Sequence, residues 1–466
     1  MRAHEAGALH ADINHRGPSW LPQPKDVNAL LPLLWSATAR KRDDGALEIG
    51  GVDLRDLAAE HGTPAYVLDE ADFRARARSF RDAFSDYQVY YAGKAFLCTT
   101  VARWVAEEGL SLDVCSAGEL TVALRAGFDP LLIGYHGNNK TTDELRRAVD
   151  AGVGRIVVDS FQEIDRLVSV AAELGRTAPV MVRVTAGVEA HTHEYIATAH
   201  EDQKFGFSIT TGEALEAVAR VLGSDHLRLL GLHSHIGSQI FDTSGFEVAA
   251  RRVLTLHARV SEELGVEMPE MDLGGGFGIA YTTQDDPSDP AQLATEITKI
   301  VEHECRGFGL RVPALSVEPG RAIVGPSVCT VYEVGTVKPV ALDRGAVRTY
   351  VSVDGGMSDN IRTALYDADY SCTIASRRSE AGPVLGRVVG KHCEAGDILV
   401  KDEFVPADLV PGDLLAVPGT GAYCRSMASN YNHALRPPVV AVADGRTTVL
   451  VRRETEDDLL RTDTGA

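Results

Sequence analysis

Residues 270–278 read Glu-Met-Asp-Leu-Gly-Gly-Gly-Phe-Gly, a short apolar run that ends in a cluster of glycines. This run is the seventh of eight that alternate with amphipathic helical patterns from about residue 70 onward. A doubly wound open sheet normally has its glycine fingerprint after the first strand, whereas this cluster follows the seventh. Eight strand–helix units over about 260 residues instead match a closed (β/α)8 barrel. The pattern therefore predicts a TIM barrel.

The eight predicted strands are apolar runs separated by segments with helical periodicity. They are residues 87–91, 111–115, 131–133, 155–158, 180–184, 227–233, 270–273 and 314–318. The intervening segments 142–150 and 161–168 place apolar residues at three- and four-residue steps, which is typical of helices. In such a barrel the catalytic residues lie at the carboxyl ends of the strands. The residues that follow these runs are therefore the candidates for chemistry.

Changes in sequence texture divide the chain into four segments. Residues 1–45 mix prolines, small residues and charges without a sustained period, and are interpreted as an N-terminal extension. Residues 46–69 are expected to add strands to a C-terminal β domain, and residues 70–330 to form the barrel. Residues 331–466 contain β-rich runs separated by turn residues, which predicts a mostly antiparallel β-sandwich or β-barrel domain.

Charge and composition limit the partners and the location of the protein. The formal net charge is −20, which argues against a nucleic acid or an anionic membrane as partner. The seven cysteines are scattered, odd in number and without a Cys-x-x-Cys pair, which favours a reduced, cytoplasmic protein. The amino terminus lacks the apolar core of a signal peptide, and no apolar run approaches the roughly 20 residues that span a bilayer.

Three strand ends carry side chains whose chemistry fits a single cofactor. Lys94 follows the first strand, where a lysine amine can form an imine with a carbonyl. His235 ends the sixth strand, and its flat ring suits stacking on a planar cofactor. A carboxylate at the end of the eighth strand, Glu318, can keep a pyridine nitrogen protonated, which makes that ring a strong electron sink. Together these residues predict a pyridoxal 5'-phosphate enzyme.

The glycine cluster predicts the site of the cofactor phosphate. Gly275 and Gly276 offer backbone N–H groups with no side chains in the way. Barrel phosphate sites favour the loop that follows the seventh strand, which is the position of this cluster. Ser238 could add a hydroxyl group, and Gly320 a further N–H.

Two pairs of histidines leave a metal site open as an alternative. His233 and His235 are two residues apart and face the same way on a strand. His191 or His193 could in principle supply the third ligand that a metal ion requires. Neither pair has carboxylate or cysteine ligands at a supporting spacing. The pattern favours a stacked imidazole, and we expect no metal.

Nine motifs stand in the order of a known family. They are Tyr91-Ala-Gly-Lys94, Asp113-Val-Cys-Ser-Ala-Gly-Glu119, Gly137-Asn-Asn-Lys140, His191-Thr-His193, Lys204-Phe-Gly206, His235-Ile-Gly-Ser238, Gly274-Gly-Gly276, Glu318-Pro-Gly-Arg321 and Cys393-Glu394. Over about residues 50–440 the chain resembles the diaminopimelate decarboxylases, which are alanine racemase-like (fold-type III) pyridoxal phosphate enzymes. The lysine and the Glu-Pro-Gly-Arg run are shared with ornithine and arginine decarboxylases, whereas the His-Thr-His and Lys-Phe-Gly segments are more particular to the diaminopimelate branch.

The resemblance implies a role for each candidate residue. Lys94 would hold the cofactor covalently, Glu318 would pair with its pyridine nitrogen, and His235 would stack on its ring. The other cofactor-binding residues would be Ser238, Gly275, Gly276, Gly320, Arg321 and Tyr423. The residues that bind the substrate would be Arg321, Arg362, Tyr366, Glu394 and Tyr423, with Glu394 on the distal ammonium. Cys393 or Lys94 would deliver a proton after loss of carbon dioxide.

The activity that the resemblance implies is decarboxylation of meso-2,6-diaminopimelate at its D-centre, which gives L-lysine and completes lysine biosynthesis. It also implies a homodimer in which the Cys393-Glu394 loop of one protomer completes the active site of its neighbour. Arginines at 321 and 362 suit a distal carboxylate, which ornithine lacks. A decarboxylase of another basic amino acid, a barrel-type pyridoxal phosphate racemase and a binding protein without activity are the alternatives.

Overall fold

The computed structural model describes residues 18, 20–187, 204–342 and 347–465. The chain divides into two compact units. The barrel unit consists of Arg74–Gly278 and Pro287–Ile323, and the β unit of Met1–Phe73, Ile279–Asp286 and Val324–Ala466. Ile279–Asp286 therefore belongs to the β unit although barrel segments precede and follow it in the sequence.

The strands are numbered along the chain. They are β1 (Arg40–Lys41), β2 (Leu47–Ile49), β3 (Val52–Asp53), β4 (Ala65–Asp69), β5 (Tyr87–Ala92), β6 (Ser111–Val114), β7 (Ile133–Tyr135), β8 (Arg155–Val158), β9 (Ala178–Thr185), β10 (Phe207–Ser208), β11 (Leu227–His233), β12 (Glu270–Asp272), β13 (Ala314–Val317), β14 (Val328–Ala341), β15 (Val347–Val353), β16 (Thr373–Ile374), β17 (Pro383–Val389), β18 (Ile398–Pro406), β19 (Leu414–Pro418), β20 (Val439–Ala443) and β21 (Arg446–Val451).

The α-helices are numbered in the same way within the described residues. They are α1 (Leu54–His61), α2 (Glu70–Ala83), α3 (Thr99–Glu107), α4 (Ala117–Arg125), α5 (Thr142–Ala151), α6 (Phe161–Glu173), α7 (Glu213–Leu222), α8 (Ser244–Leu264), α9 (Pro290–Phe308), α10 (Arg321–Val324), α11 (Arg362–Tyr366) and α12 (Glu456–Leu460). Short 3-10 turns span Pro130–Leu132, Arg425–Met427 and Tyr431–His433.

The barrel unit contains eight parallel strands that close on themselves. Their order is β5-β6-β7-β8-β9-β11-β12-β13, and β13 pairs with β5 to complete the circle. The short strand β10 pairs with β9 beside this ring. The predicted (β/α)8 barrel is thereby confirmed. Because all eight strands run in parallel, their carboxyl ends open at the same mouth.

The interior of the barrel holds a buried charged network in addition to apolar side chains. Arg155, at the start of β8, donates to Asp272 (3.2 Å), Ser316 (3.0 Å) and Glu270 (2.9 Å). Its guanidinium carbon also lies 4.5 Å from the ring centroid of Tyr90. Buried charges are tolerated where partners satisfy them. The network therefore connects four strands of the barrel, β5, β8, β12 and β13.

The third barrel strand begins later than the sequence predicts. Leu131 and Leu132 lie in a 3-10 turn, and the side chain of Leu131 is 70% exposed. Asp129 accepts a hydrogen bond from the Leu131 N–H (3.0 Å), and Pro130 occupies the first position of the turn. The aspartate cap and the proline favour a turn over a strand. Apolar character alone was therefore misleading at this position.

The β unit is built on a mostly antiparallel sheet, which confirms the prediction of a second, β-rich domain. The strand order is β18-β17-β15-β14-β4-β20-β21, and β19 and β16 extend it from β14. Two pairs, β15–β17 and β4–β20, are parallel. Strand β4 comes from the segment that precedes the barrel in the sequence. In the sheet it lies between β14 and β20. A small antiparallel sheet, β1-β2-β3, also belongs to this unit.

Apolar residues that are far apart in the sequence form the core of the β unit. They include Leu34, Trp35, Leu47, Leu57, Val67, Ala280, Val331, Leu414 and Val440. Their burial anchors Leu34 and Trp35 as well as the strands that follow them. Within the described parts of the chain, no helix is both long enough and apolar enough to cross a bilayer.

Candidate active site

The predicted cofactor residues of the barrel unit meet at the barrel mouth. Lys94 lies two residues beyond the end of β5, and Glu318 directly follows β13. His235 lies two residues beyond the end of β11. Burial, and then the charge of Lys94, lowers the pKa of His235 well below its ordinary value, while Glu318 opposes this shift. The three side chains are therefore near enough to influence one another electrostatically.

Glu318 is a buried carboxylate between two imidazole rings. Its Oε1 atom lies 3.0 Å from His136 Nε2 and 3.3 Å from His233 Nε2. Burial acts to raise the pKa of Glu318, but the two imidazoles outweigh it and hold this pKa well below its ordinary value. Burial lowers the pKa of His233, against the attraction of Glu318. Glu318 is thus kept ionised despite its lack of solvent.

A second carboxyl group, Asp113, lies on the other side of His136. Asp113 is the next-to-last residue of β6, and its Oδ1 atom is 3.7 Å from His136 Nε2. Burial acts to lower the pKa of His136, but Asp113 and Glu318 reverse this and raise it. Burial raises the pKa of Asp113 to about 7, with His136 opposing the shift. The two acids therefore favour the protonated form of His136 despite its burial.

The ring of His235 is fixed by the glycine cluster. Its Nδ1 atom accepts a hydrogen bond from the N–H of Gly275 (3.1 Å). An Nδ1 that accepts is unprotonated, so His235 is neutral with its proton on Nε2, in agreement with its lowered pKa. The predicted Gly275 amide is therefore occupied by His235 and orients that ring.

Two other predicted amides have no hydrogen-bond acceptor among the described residues. The N–H groups of Gly276 and Gly320 donate to none of the residues that the structure describes. A Cβ at Gly276 would lie 2.7 Å from the carbonyl oxygen of Gly237, and one at Gly320 would lie 2.8 Å from Ala92 Cβ. Both positions therefore require glycine, and both leave a donor for an anion.

Arg321 and Ser238 form a polar pair at this mouth. Arg321 Nη2 donates to Ser238 Oγ (2.9 Å), and the arginine side chain is buried. Because Ser238 accepts from the arginine, its own hydroxyl proton is directed elsewhere.

The donors and acids at the mouth fit pyridoxal phosphate. Glu318 Oε1 and both ring nitrogens of His233 are buried and make no aligned hydrogen bond within the described residues. A pyridine ring requires an ionised acid at its nitrogen and a flat, neutral imidazole against its face. An aldehyde requires a lysine amine, and a phosphate requires backbone amides that are free to donate. The structure thus contains an arrangement that suits each part of the cofactor.

The structure groups a different set of donors from the one that the metal alternative named. In the described part of the chain, the one group of three donor atoms within 4.8 Å of one another consists of His136, His233 and Glu318. His235, the expected partner of His233, is not in that group and turns Nδ1 to a backbone amide. His191 and His193 lie outside the described residues.

In the β unit, Arg362 and Tyr366 lie on the short helix α11. Arg362 is 4% exposed, and its Nη1 atom donates to the hydroxyl of Tyr370 (2.7 Å). The Tyr366 hydroxyl contacts Met427 Sδ at 4.0 Å. Tyr423 has a positive φ of 62°, which is strained for a side chain of this size and often marks a functional position.

Cys393 and Glu394 are exposed on the loop between β17 and β18. Buried Asp397 anchors this loop by accepting the N–H groups of His392 (2.8 Å) and Met357 (2.6 Å). His392 is held in turn by Ser358 Oγ (2.8 Å) and Asn432 Oδ1 (3.1 Å). The loop therefore has a rigid base and presents its cysteine and glutamate to the outside of the chain.

His136 is the main residue that sequence reasoning missed. It directly follows the end of β7, which is the same structural position that identified Lys94 and Glu318. The motif Gly137-Asn-Asn-Lys140 begins one residue after it. Lys140 of that motif forms a buried ion pair with Glu163 (2.7 Å) and holds the loop against α6.

Comparisons with known proteins agree with this geometry. Residues 70–325 match the family described as pyridoxal-dependent decarboxylase, pyridoxal binding domain. The chain is 57% identical over 436 residues to the diaminopimelate decarboxylase of Mycobacterium tuberculosis, covering 92% of this chain and 98% of that protein. It is 54% identical over 467 residues to that of Mycobacterium leprae, covering 99% of each. The crystal structure of M. jannaschii diaminopimelate decarboxylase with L-lysine superposes with a TM-score of 0.85, at 30% identity, over 92% of this chain and 98% of that chain.

Proposed function

The chain belongs to the diaminopimelate decarboxylase family of pyridoxal-dependent enzymes, and we propose that it converts meso-2,6-diaminopimelate into L-lysine and carbon dioxide. It is a carboxy-lyase that uses pyridoxal 5'-phosphate. The observation that carries the proposal is the ionised Glu318 held between His136 and His233 at the mouth that also contains Lys94. We place the reaction at the D-centre of the substrate and at the end of lysine biosynthesis.

Pyridoxal phosphate, when bound, supplies a carbonyl for the substrate amine and a ring that withdraws electrons from the bond that breaks. Lys94 would hold it covalently, and Glu318 would hold a proton at its pyridine nitrogen. His235, neutral and fixed by Gly275, would cover one face of the ring. The free amides of Gly276 and Gly320, with Arg321, Ser238 and Tyr423, would bind the phosphate.

The remaining residues orient the substrate and move protons. Arg321, Arg362 and Tyr366 would bind its distal carboxylate, since guanidinium groups match carboxylates in a two-pronged geometry. Glu394 would bind the distal ammonium. Departure of carbon dioxide leaves a carbon that requires one proton, and Cys393 Sγ or Lys94 Nζ would donate it.

We also propose a homodimer in which Cys393 and Glu394 serve the neighbouring protomer. Their exposure on an anchored loop supports this, because an exposed thiol and carboxylate are accessible to a second copy of the chain. A cytoplasmic location is proposed because all seven cysteines are free thiols.

The function is tested by incubating the purified, cofactor-loaded protein with meso-diaminopimelate and measuring carbon dioxide and L-lysine. Lys94→Ala is expected to lose both turnover and the visible absorption of the bound cofactor, because the imine with the cofactor aldehyde requires the amine of this lysine. Release of lysine without Lys94 would refute the assignment of that residue. Inversion of the substrate without carbon dioxide would indicate a racemase, and preferential turnover of ornithine or arginine would indicate a different decarboxylase.

A further inference from the structure

Arg362 is a buried cation for which the described residues supply no counter-ion. Its side chain is 4% exposed, and no carboxylate lies within ion-pair distance of it among the described residues. Nη1 donates to the hydroxyl of Tyr370 (2.7 Å), whereas Nε is buried and has no hydrogen-bond partner in the described part of the chain. An unpaired buried charge is costly, so this guanidinium is arranged for an anion that comes from outside the chain.

Two buried tyrosines hold this guanidinium in place. The ring centroid of Tyr281 lies 4.7 Å from Arg362 Cζ, which is within the range of cation–π attraction. Tyr370 supplies the hydroxyl that accepts from Nη1, and its ring meets that of Tyr281 edge to face at 5.1 Å. The Tyr370 hydroxyl also contacts Cys424 Sγ at 3.7 Å. Tyr281 and Tyr370 are 6% and 1% exposed, so neither ring is free to move aside.

Tyr281 reaches this position on the short excursion Ile279–Asp286. Asp285 Oδ2 accepts the N–H groups of Tyr281 (2.9 Å) and Thr282 (3.0 Å), which fixes the turn that carries the ring. Ala280, the preceding residue, is part of the apolar core of the β unit. The placement of the tyrosine beside Arg362 is therefore built into the fold of this unit.

We propose that Tyr281 and Tyr370 are positioning residues that determine specificity for the distal carboxylate of the substrate by fixing the guanidinium of Arg362. The proposal rests on the proposed function. The Tyr370 hydroxyl accepts the hydrogen bond from Nη1, and the ring of Tyr281 lies against the planar face of the guanidinium. The edge formed by Nε and Nη2 is left without a partner within the described residues. Such an edge binds a carboxylate through two parallel hydrogen bonds.

The test compares ligands that carry the distal carboxylate with one that lacks it. L-Lysine, the product, keeps this carboxylate, whereas cadaverine has none. In Tyr370→Phe holoenzyme, the KM for meso-diaminopimelate and the inhibition constant of L-lysine are both expected to rise about tenfold, since a hydrogen bond to a charged group is lost. The inhibition constant of cadaverine and kcat should stay within about twofold, because only binding of the far end has changed.

A second pair of variants separates positioning from general damage. Tyr281→Leu removes the ring face and should shift the same two constants about threefold to tenfold, whereas Tyr281→Phe keeps the ring and should shift them less. Tyr87→Phe is the matched control, because it removes a tyrosine hydrogen bond to Thr298 (2.9 Å) in the barrel unit. It should change none of these constants.

The results distinguish a failure of the tyrosine assignment from a failure of the proposed function. If the wild type forms lysine, the variants could leave the inhibition constant of L-lysine unchanged, or raise those of L-lysine and cadaverine equally. Either result would overturn the assignment of the tyrosines. A wild-type protein that released no lysine from diaminopimelate would overturn the proposed function itself. If Tyr281→Leu failed to fold, as judged by circular dichroism, Tyr370→Phe would decide the matter alone.

Discussion

Single ionisable residues at the barrel mouth depend on their neighbours for their charge. Glu318 would be driven towards its neutral form by burial, yet His136 and His233 keep it ionised. Asp113 has one imidazole for support and a second carboxylate nearby, and its pKa rises to about 7. The pKa values of the two acids therefore shift in opposite directions, because Glu318 contacts two imidazoles and Asp113 only one, which is also farther away, at 3.7 Å against 3.0 Å.

Asp113→Asn is expected to flatten the dependence of stability on pH. The folded state keeps the Asp113 proton up to about pH 7, whereas the unfolded chain releases it near about pH 4. The contribution of this carboxyl group to stability is therefore largest below the lower of these values and is lost as pH rises through the higher. Thermal unfolding between about pH 5 and pH 8 should show a decline in Tm that is smaller, by a few degrees, in the variant.

The comparison requires a surface control. Asp143 is exposed at the start of α5, and Asp143→Asn should keep the wild-type slope of Tm against pH. Asp359, which is buried and also has a pKa of about 7, contributes the same slope to all three proteins. Parallel curves for the wild type and Asp113→Asn would contradict the raised pKa of Asp113.

At the scale of elements, the loops after strands hold the chemistry and glycine sets how closely they pack. The Cys393–Glu394 loop shows this in the β unit. A Cβ at Gly390 would lie 2.2 Å from Asp397 Oδ2, the carboxylate that anchors the loop. The loop thus depends on a residue with no side chain as much as on the acid itself.

Gly390→Ala is expected to disturb this anchor. It should destabilise the protein by about 1–3 kcal/mol, as overpacking of a filled site does, and should lower turnover while the visible absorption of the cofactor is retained. Urea denaturation and steady-state rates measure the two effects. Gly382→Ala in the same unit is the control, because no atom of a described residue other than its chain neighbours lies within 4 Å of its added Cβ. Equal stability of the two variants would show that Asp397 does not require the space at Gly390.

Elements were predictable where their signal was local. The alternation of apolar runs and helical patterns located all eight barrel strands, because periodicity depends on neighbouring residues. The third strand was misplaced since Leu131 and Leu132 are apolar but belong to a turn capped by Asp129. The excursion at Ile279–Asp286 gave no comparable signal, because its eight residues have no periodicity of their own and are held by packing in the β unit.

For the whole molecule, the strong negative charge means that a ligand carboxylate must be bound by cations close to it. Diaminopimelate carries two carboxylates and two ammonium groups and has no net charge, so a protein charge of −20 gives no long-range attraction and its carboxylates must be bound by local cations. Arg321 and Arg362, both buried, supply them at separate points of the chain. The proposed homodimer would add Cys393 and Glu394 from a second copy to each site.

Shared sites predict that two inactive variants can restore each other. Co-expression of Lys94→Ala with Cys393→Ala should give about one quarter of the wild-type activity, because half of randomly assembled dimers are mixed and each has one intact site. Lys94→Ala with Glu318→Gln is the control, since both changes affect the barrel unit and no intact site can form. Activity of purified, tagged mixed dimers measures the effect. Mixed Lys94→Ala and Cys393→Ala dimers without activity would place both residues in the site of one chain.

The sequence by itself determined the fold class and the chemistry at the strand ends. Strand periodicity, and the positions of Lys94, His235 and Glu318 just after their strands, are local properties that need no knowledge of distant contacts. Only the tertiary structure decided which groups control them. His136 meets Glu318, and Tyr281 meets Arg362, because barrel closure and the packing of the β unit bring together residues that are many positions apart in the chain.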